Sequence, residues 1–340
     1  MAPAHSLPNL NRSNDEDYIK LMGLISHEFF HTWNVKRIKP QVFTPYDVHQ
    51  ENYTKLLWWF EGVTSYYDDL VLYRTGIIDQ AQYLNIIVEN LNNVYKFAGV
   101  TQQSVANSSL TSWVKYYRQD ENSPNSIVSY YVKGSLVALC LDLLLRSKSQ
   151  FSLDSVMLHL FKLWQVNPIG VAEDEFPALI QAATGVDLAE FIQQATETTE
   201  MLPYVELLAQ FGLDLTTRLA KNHQDSGKFN LSTASAGPLV VGDLGAKLEK
   251  QALGYLVKNV YVDTPAERAG LAANDLIVAL NQVKLTNLEK QLAFIQNGES
   301  IELTLFRQER LLTLDLELSS CAVKIFELAL NDAKLLLNWL

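Results

Sequence analysis

The stretch "LISHEFFHTWNVKRIKP", residues 24–40, decides how the rest of the chain is read. It sets two histidines and a glutamate into a run with apolar positions Tyr18, Leu21, Met22, Ile25 and Phe29, spaced by three and four as in an amphipathic helix. Asn14 or Asp15 can cap its start. On such a helix His27 and His31 stand one turn apart on a shared face, the geometry two imidazoles need to bind one zinc ion. Glu28 lies beside that face, where a carboxylate can take a proton from a metal-activated water without being a ligand. The competing reading is a core helix whose histidines are satisfied by hydrogen bonds.

A zinc site of this kind needs a third protein ligand, and two glutamates compete. Glu51 follows His31 by 20 positions in the polar stretch "DVHQENYTK", where an exposed carboxylate is the better reading. Glu61 follows by 30 positions inside "LLWWFEGVTSYY", where a carboxylate is costly unless a cation or hydrogen bonds compensate it. Glu61 is therefore the expected ligand. Asp68 and Asp69 lie one to two turns further on, and either could orient a metal-bound histidine. A hydrolase also needs a donor for the developing oxyanion. In "SYYVKGSLVALCLDLLLR" Tyr130 and Tyr131 stand where a loop enters a helix, and their phenols read equally well as packing groups.

Outward from these motifs, helical periodicity is expected at about 79–97, 131–148, 152–166 and 173–184, with a short helix in "GVDLAEFIQQAT". From Phe211 glycine recurs and β-branched or alternating runs appear, among them "GYLVKNVYV", "DLIVALN", "SIELTLFR" and "RLLTLDLEL". The expected organisation is an extended lead-in at 1–14, a helical lobe at 15–205, a β-rich domain at 206–320 and a terminal strand and helix at 321–340. That makes a multidomain α+β chain.

Composition narrows the function classes. The net charge of −11 over 340 residues argues against nucleic acid or an anionic membrane surface as partner. Lys36, Arg37 and Lys39 are too few to change this, and they complement the dipole at the end of the HEFFH helix. Two distant cysteines, Cys140 and Cys321, form no disulfide framework, and neither reads as a metal ligand. His5, His49, His159 and His223 have no ligand-like spacing and read as solvated or singly hydrogen-bonded. The longest apolar run, "SLVALCLDLLL", is too short to span a bilayer and is interrupted by Asp142, so no transmembrane segment is expected. No secretory signal is recognisable at the N-terminus, which places the chain as it stands in the cytoplasm, with a periplasmic or secreted location left open.

Read in order, HEFFH-TWNVKRIKP, WFEGVTSYYDDL and YYVKG resemble the PDZ-bearing glycyl aminopeptidase family of gluzincin metallopeptidases. The resemblance covers nearly the whole chain and implies a thermolysin-like zinc peptidase lobe followed by a PDZ-like domain. It carries over His27, His31 and Glu61 as ligands of one zinc ion, Glu28 as general base and Tyr131 as oxyanion donor, with Tyr130 as the alternative. "VVGDLGAKL" resembles a carboxylate-binding loop, so Gly242, Asp243, Leu244 and Gly245 are expected to receive a peptide C-terminus. "VDTPAERAGLAANDLIVALN" resembles the helix-turn and strand that follow. Ala246 stands where such loops carry a bulky apolar residue, and Phe60 where the family more often has a small or polar one. Family members carry a preceding β-rich region ending in a G-L-E-H-type segment, which is expected to hold the substrate backbone and its free amino group. Here Met1 lies only 26 residues before His27. A split gene whose other half is a separate chain, an artificial truncation, or natural loss each explains that start. Two functions follow: a zinc aminopeptidase acting on peptides, or an inactive zinc lobe with a module that binds peptide C-termini.

Overall fold

Local side-chain chemistry sets the helix starts in a computed structural model that describes residues 16–231, 242–292 and 294–340. The expected lead-in at 1–14 falls outside the described residues. The HEFFH helix, α1, runs Glu16–Phe30. A short α2, Leu57–Phe60, leads into α3, Gly62–Arg74. In α4, Gln80–Tyr95, Asp79 accepts from Gln82 N at 2.8 Å while Gln82 Oε1 accepts from Asp79 N at 2.8 Å, a reciprocal cap. Ser129 caps α5, Tyr130–Lys148, by accepting from Val132 N at 3.3 Å. The lobe continues through α6, Leu153–Val166, α7, Phe176–Thr184, α8, Ala189–Glu197, and α9, Tyr204–Gln210. The first described strand begins at Leu213.

The helix α5 is the axis of this lobe, with Leu136 to Leu141, Leu143 and Leu145 all buried. By length and composition the span Ser123–Lys148 could cross a membrane, but 72% of its apolar window is buried inside the fold, as in a core helix. Asp142 stays buried because it accepts hydrogen bonds from the Tyr66 hydroxyl at 2.8 Å, Arg146 Nε at 2.9 Å and Leu153 N at 2.8 Å. Phe176 packs on Trp59 at 4.2 Å between ring centroids and clamps α2 against α7.

The β-rich part holds two separate sheets beside a small ladder. The strand β1, Leu213–Leu219, is followed by β2, Phe229–Asn230, β3, Gly242–Asp243, β4, Ala246–Lys250, and β5, Tyr255–Val260. Then come β6, Leu276–Leu280, β7, Val283–Lys284, β8, Ser300–Arg307, β9, Arg310–Glu317, β10, Ser319–Ser320, and β11, Lys324–Leu330. One sheet has the order β4-β5-β6-β8-β9, with β7 on β6, and closes over Val257, Ile277, Leu303, Leu305 and Leu316. β4 is its edge. β1 falls within the span 206–320 expected of the β-rich domain, yet it pairs antiparallel with β11 and joins its buried leucines to the helical core. The β4–β9 sheet is thus inserted between two strands that belong to the helical lobe.

A close backbone approach lies where α3 meets α5. A Cβ on Gly134 would lie 2.5 Å from the Trp58 carbonyl oxygen and 2.9 Å from Gly62 Cα. Gly134→Ala therefore forces the two helices apart and is expected to cost roughly 1–3 kcal/mol in urea unfolding. Gly23→Ala, whose Cβ meets nothing within 4 Å, is the control and should leave stability unchanged or slightly raised.

Candidate metal centre

His27 sits in the last turn of α1, and His31 follows the helix with its N–H still bonded to the His27 carbonyl at 3.2 Å. The two rings meet edge to face at 4.6 Å. Glu61, at the junction of α2 and α3, turns its carboxylate to both: Oε2 lies 3.2 Å from His27 Nε2 and 3.2 Å from His31 Nε2. Ligand atoms about 2.0–2.1 Å from one tetrahedral zinc ion lie about 3.3 Å apart, so the three donors fit such an ion. Glu51, the competing glutamate, is exposed and accepts from the Tyr53 hydroxyl.

The outer ring nitrogens support the same reading. His27 Nδ1 is 2.8 Å from Asp68 Oδ2, and His31 Nδ1 is 3.0 Å from the Asn34 carbonyl. Both acceptors need the proton on Nδ1, which leaves the Nε2 lone pairs for a metal. Of the two aspartates left open by the sequence, Asp68 takes this place. Asn34 is missed by the sequence reading and is fully buried; its Nδ2 donates to Trp59 O at 3.2 Å and Thr64 Oγ1 at 3.1 Å. It ties the tail of HEFFH to the turn that carries Glu61.

Charge is concentrated here without an ion. Burial opposes charge on His27, but hydrogen bonds to Asp68 and Glu61 prevail and raise its pKa to about 9. Burial works against ionised Glu61 too, and the two histidines hold it down at about 2. Asp68 is pushed up to about 6 by burial against the pull of His27.

Glu28 is exposed on α1. Tyr131 lies 6.1 Å from His27 between ring centroids, with its hydroxyl 3.2 Å from that of Tyr117, while Tyr130 is fully buried and stacks on Tyr131 at 4.7 Å. Tyr117 was not singled out in the sequence; it bonds both phenols. Lys133 of the same run is fully buried without a partner for Nζ, and burial lowers its pKa to about 8. In the expected peptide loop, Leu244 is buried in the sheet core and Asp243 turns inward to His223. His223 is itself buried, which corrects the solvated alternative of its reading, and its ring is hydrogen-bonded through Nδ1 to Asp243.

A helical lobe with HExxH and a downstream glutamate, followed by a β-rich domain, defines a gluzincin-type zinc-peptidase fold. Residues 20–137 match the M61 glycyl aminopeptidase family and residues 242–318 the PDZ domain, so the chain has a PDZ-containing, M61-family metallopeptidase architecture. A solved aminopeptidase N family protein from Idiomarina loihiensis is 36% identical and superposes with a TM-score of 0.88, covering 96% of this chain and 55% of that one. This chain therefore spans about half the length of that relative. The HtrA-type protease AlgW with decapeptide is 23% identical over 24% of this chain and 29% of its own, with a TM-score of 0.22, an overlap that carries no argument. No curated protein matches the chain.

Because metal binding must displace the His27 proton below about pH 9, and the His31 proton as well where its raised pKa keeps it on, zinc affinity should rise by at least about tenfold per pH unit from pH 6 toward pH 9 and level off once both imidazoles are neutral. Competition with a chromophoric chelator measures this, and a flat profile would contradict the protonation assigned to His27. Asp68→Asn, which weakens the hold on His27 Nδ1, should lower the same affinity by about 10–100-fold.

Proposed function

We propose that the chain is a zinc metallopeptidase of aminopeptidase type that takes one zinc ion and hydrolyses peptide bonds. The observation that carries the proposal is the convergence of His27 Nε2, His31 Nε2 and Glu61 Oε2, with both outer ring nitrogens committed elsewhere. The aminopeptidase direction rests on the family match over residues 20–137.

His27, His31 and Glu61 would hold the zinc ion, which would supply Lewis acidity and a water acidic enough to react near neutral pH. Glu28, exposed beside His27 on the open side of α1, accepts the proton of the attacking water and passes it to the leaving amine. Tyr131 donates to the oxyanion that forms on the scissile carbonyl. Burial and the neighbouring Glu61 carboxylate push its pKa above the ordinary tyrosine value, so the phenol keeps the proton it must offer. Tyr117, bonded to the Tyr131 hydroxyl, orients it.

One observation favours a second activity. β4 stands at the edge of its sheet and follows the loop 242–245, so a peptide C-terminus can add there as a further strand. In that reading the metal lobe is inert and the PDZ-like domain does the binding.

Hydrolysis of aminoacyl-nitroanilides, abolished by a chelator and restored by zinc, separates the two. Glu28→Gln should lower turnover by about 10²–10⁴-fold with zinc content unchanged. Retained turnover in that variant sinks the assignment. Saturable peptide binding by zinc-loaded protein without turnover supports the second reading. Turnover by this chain alone also means that no second polypeptide is required.

A further inference from the structure

A second group of metal-type donors lies away from the HEFFH site. His223, Asp243 and Cys321 bring one nitrogen, one oxygen and one sulfur within 4.8 Å of one another. His223 Nδ1 bonds Asp243 Oδ2 and stands 3.8 Å from Cys321 Sγ. Nitrogen and sulfur ligands on one tetrahedral zinc ion are about 3.6 Å apart, given bonds of about 2.0–2.1 and 2.3 Å. His223 and Cys321 are buried, at 7% and 3% exposure. The open side of the group faces a cavity of about 220 Å³ that is also lined by Asp263, Thr264 and Ser319.

The arrangement does not suit a nucleophilic thiol. A Cys–His–carboxylate relay uses opposite ring nitrogens for thiol and carboxylate. Here Nδ1 alone faces both, as it would face a shared ion. The positions of the three residues also argue for a common purpose. His223 follows β1, Asp243 ends β3, and Cys321 follows β10, so they come from the two segments that lead into and out of the PDZ-like domain. β3 and β10 pair antiparallel at that crossing, with Ser319 opposite Asp243. The His223 ring is held by stacking on Tyr261 at 4.5 Å, and the Asp243 carboxylate by the N–H groups of His223 and Gly245, each at 3.1 Å. The three residues are thus brought together by the fold, and an ion enters by replacing the hydrogen bond between His223 Nδ1 and Asp243 Oδ2, whose atoms separate to about 3.3 Å to share it.

We infer that His223, Asp243 and Cys321 form a second divalent-metal site, selective for a zinc-like ion, that clamps the two strands joining the PDZ-like domain to the helical lobe. The thiolate and imidazole favour a borderline or soft ion over magnesium or calcium. Binding releases the thiol proton to solvent, requires the His223 ring to carry its proton on Nε2 so that Nδ1 is free, and leaves one coordination position toward the cavity. This inference is independent of the peptidase assignment, because the His27, His31 and Glu61 site has no sulfur ligand.

That difference supplies the test. Cobalt(II) bound to a cysteine thiolate shows a sulfur-to-metal charge-transfer band in the near ultraviolet, and a histidine–glutamate site does not. The full chain loaded with cobalt should show this band and take up a second equivalent of metal. Cys321→Ser should lose the band and one equivalent; His31→Ala should lose the other equivalent and keep the band. Cys140 is buried among the side chains of α5 and cannot supply the sulfur. Absence of the band from the wild-type chain, or its survival in Cys321→Ser, overturns the site. Because the wild-type spectrum alone decides the matter, poor folding of a variant does not remove the test.

Discussion

Backbone contact between α3 and α5 is the constraint on which the site depends. Gly62 and Gly134 face each other so closely that a methyl group on either would strike main-chain atoms of its neighbour. Glu61 is the residue before one glycine, and Tyr131 lies one turn before the other. Closing the two helices to this distance is what brings the carboxylate and the phenol to the same side of α1. A larger residue at either position would separate groups whose distances a metal site must hold to within about half an ångström.

The site also balances its own charge. A carboxylate as buried as Glu61 is costly alone, and two imidazoles with raised pKa values offset that cost. Asp68 then offsets the second proton on His27 from behind. The group is consequently held together by the same contacts that leave its inner nitrogens convergent. An ion held by these three side chains would replace protons rather than reorganise side chains, the preorganisation that a Lewis-acid site requires.

What the sequence disclosed follows the range of the interactions involved. The convergence of His27 and His31 is legible because helix periodicity is local, and that of Glu61 because an acidic residue among tryptophans and tyrosines needs a partner. The helix boundaries agree with the periodic runs to within a few residues where a capping residue such as Asp79 or Ser129 fixes the start. Asn34 and Tyr117 were passed over because an amide and one phenol among several carry no pattern until the chain folds. The pairing of β1 with β11 was equally hidden, since alternation marks a strand but does not name its partner. His223 and Cys321 stand 98 residues apart, beyond any spacing rule for ligands.

The hidden pairing changes how the two parts of the chain relate. With β1 and β11 both in the lobe, the PDZ-like domain is held by two covalent crossings. It is also hydrogen-bonded to the lobe: Asn125 Nδ2 donates to Val260 O at 2.8 Å, and Asn259 Nδ2 donates to Glu121 O at 2.9 Å. Both lobe residues belong to the segment, with its short helix Ser123–Ser126, that runs directly into α5 and Tyr131. Two crossings and these docking bonds remove most of the rotational freedom that a single tether allows. The loop 242–245 and the edge strand β4 are thus tied to the lobe on both sides of the domain, by the β1–β11 pairing and by the bonds to Asn125 and Glu121.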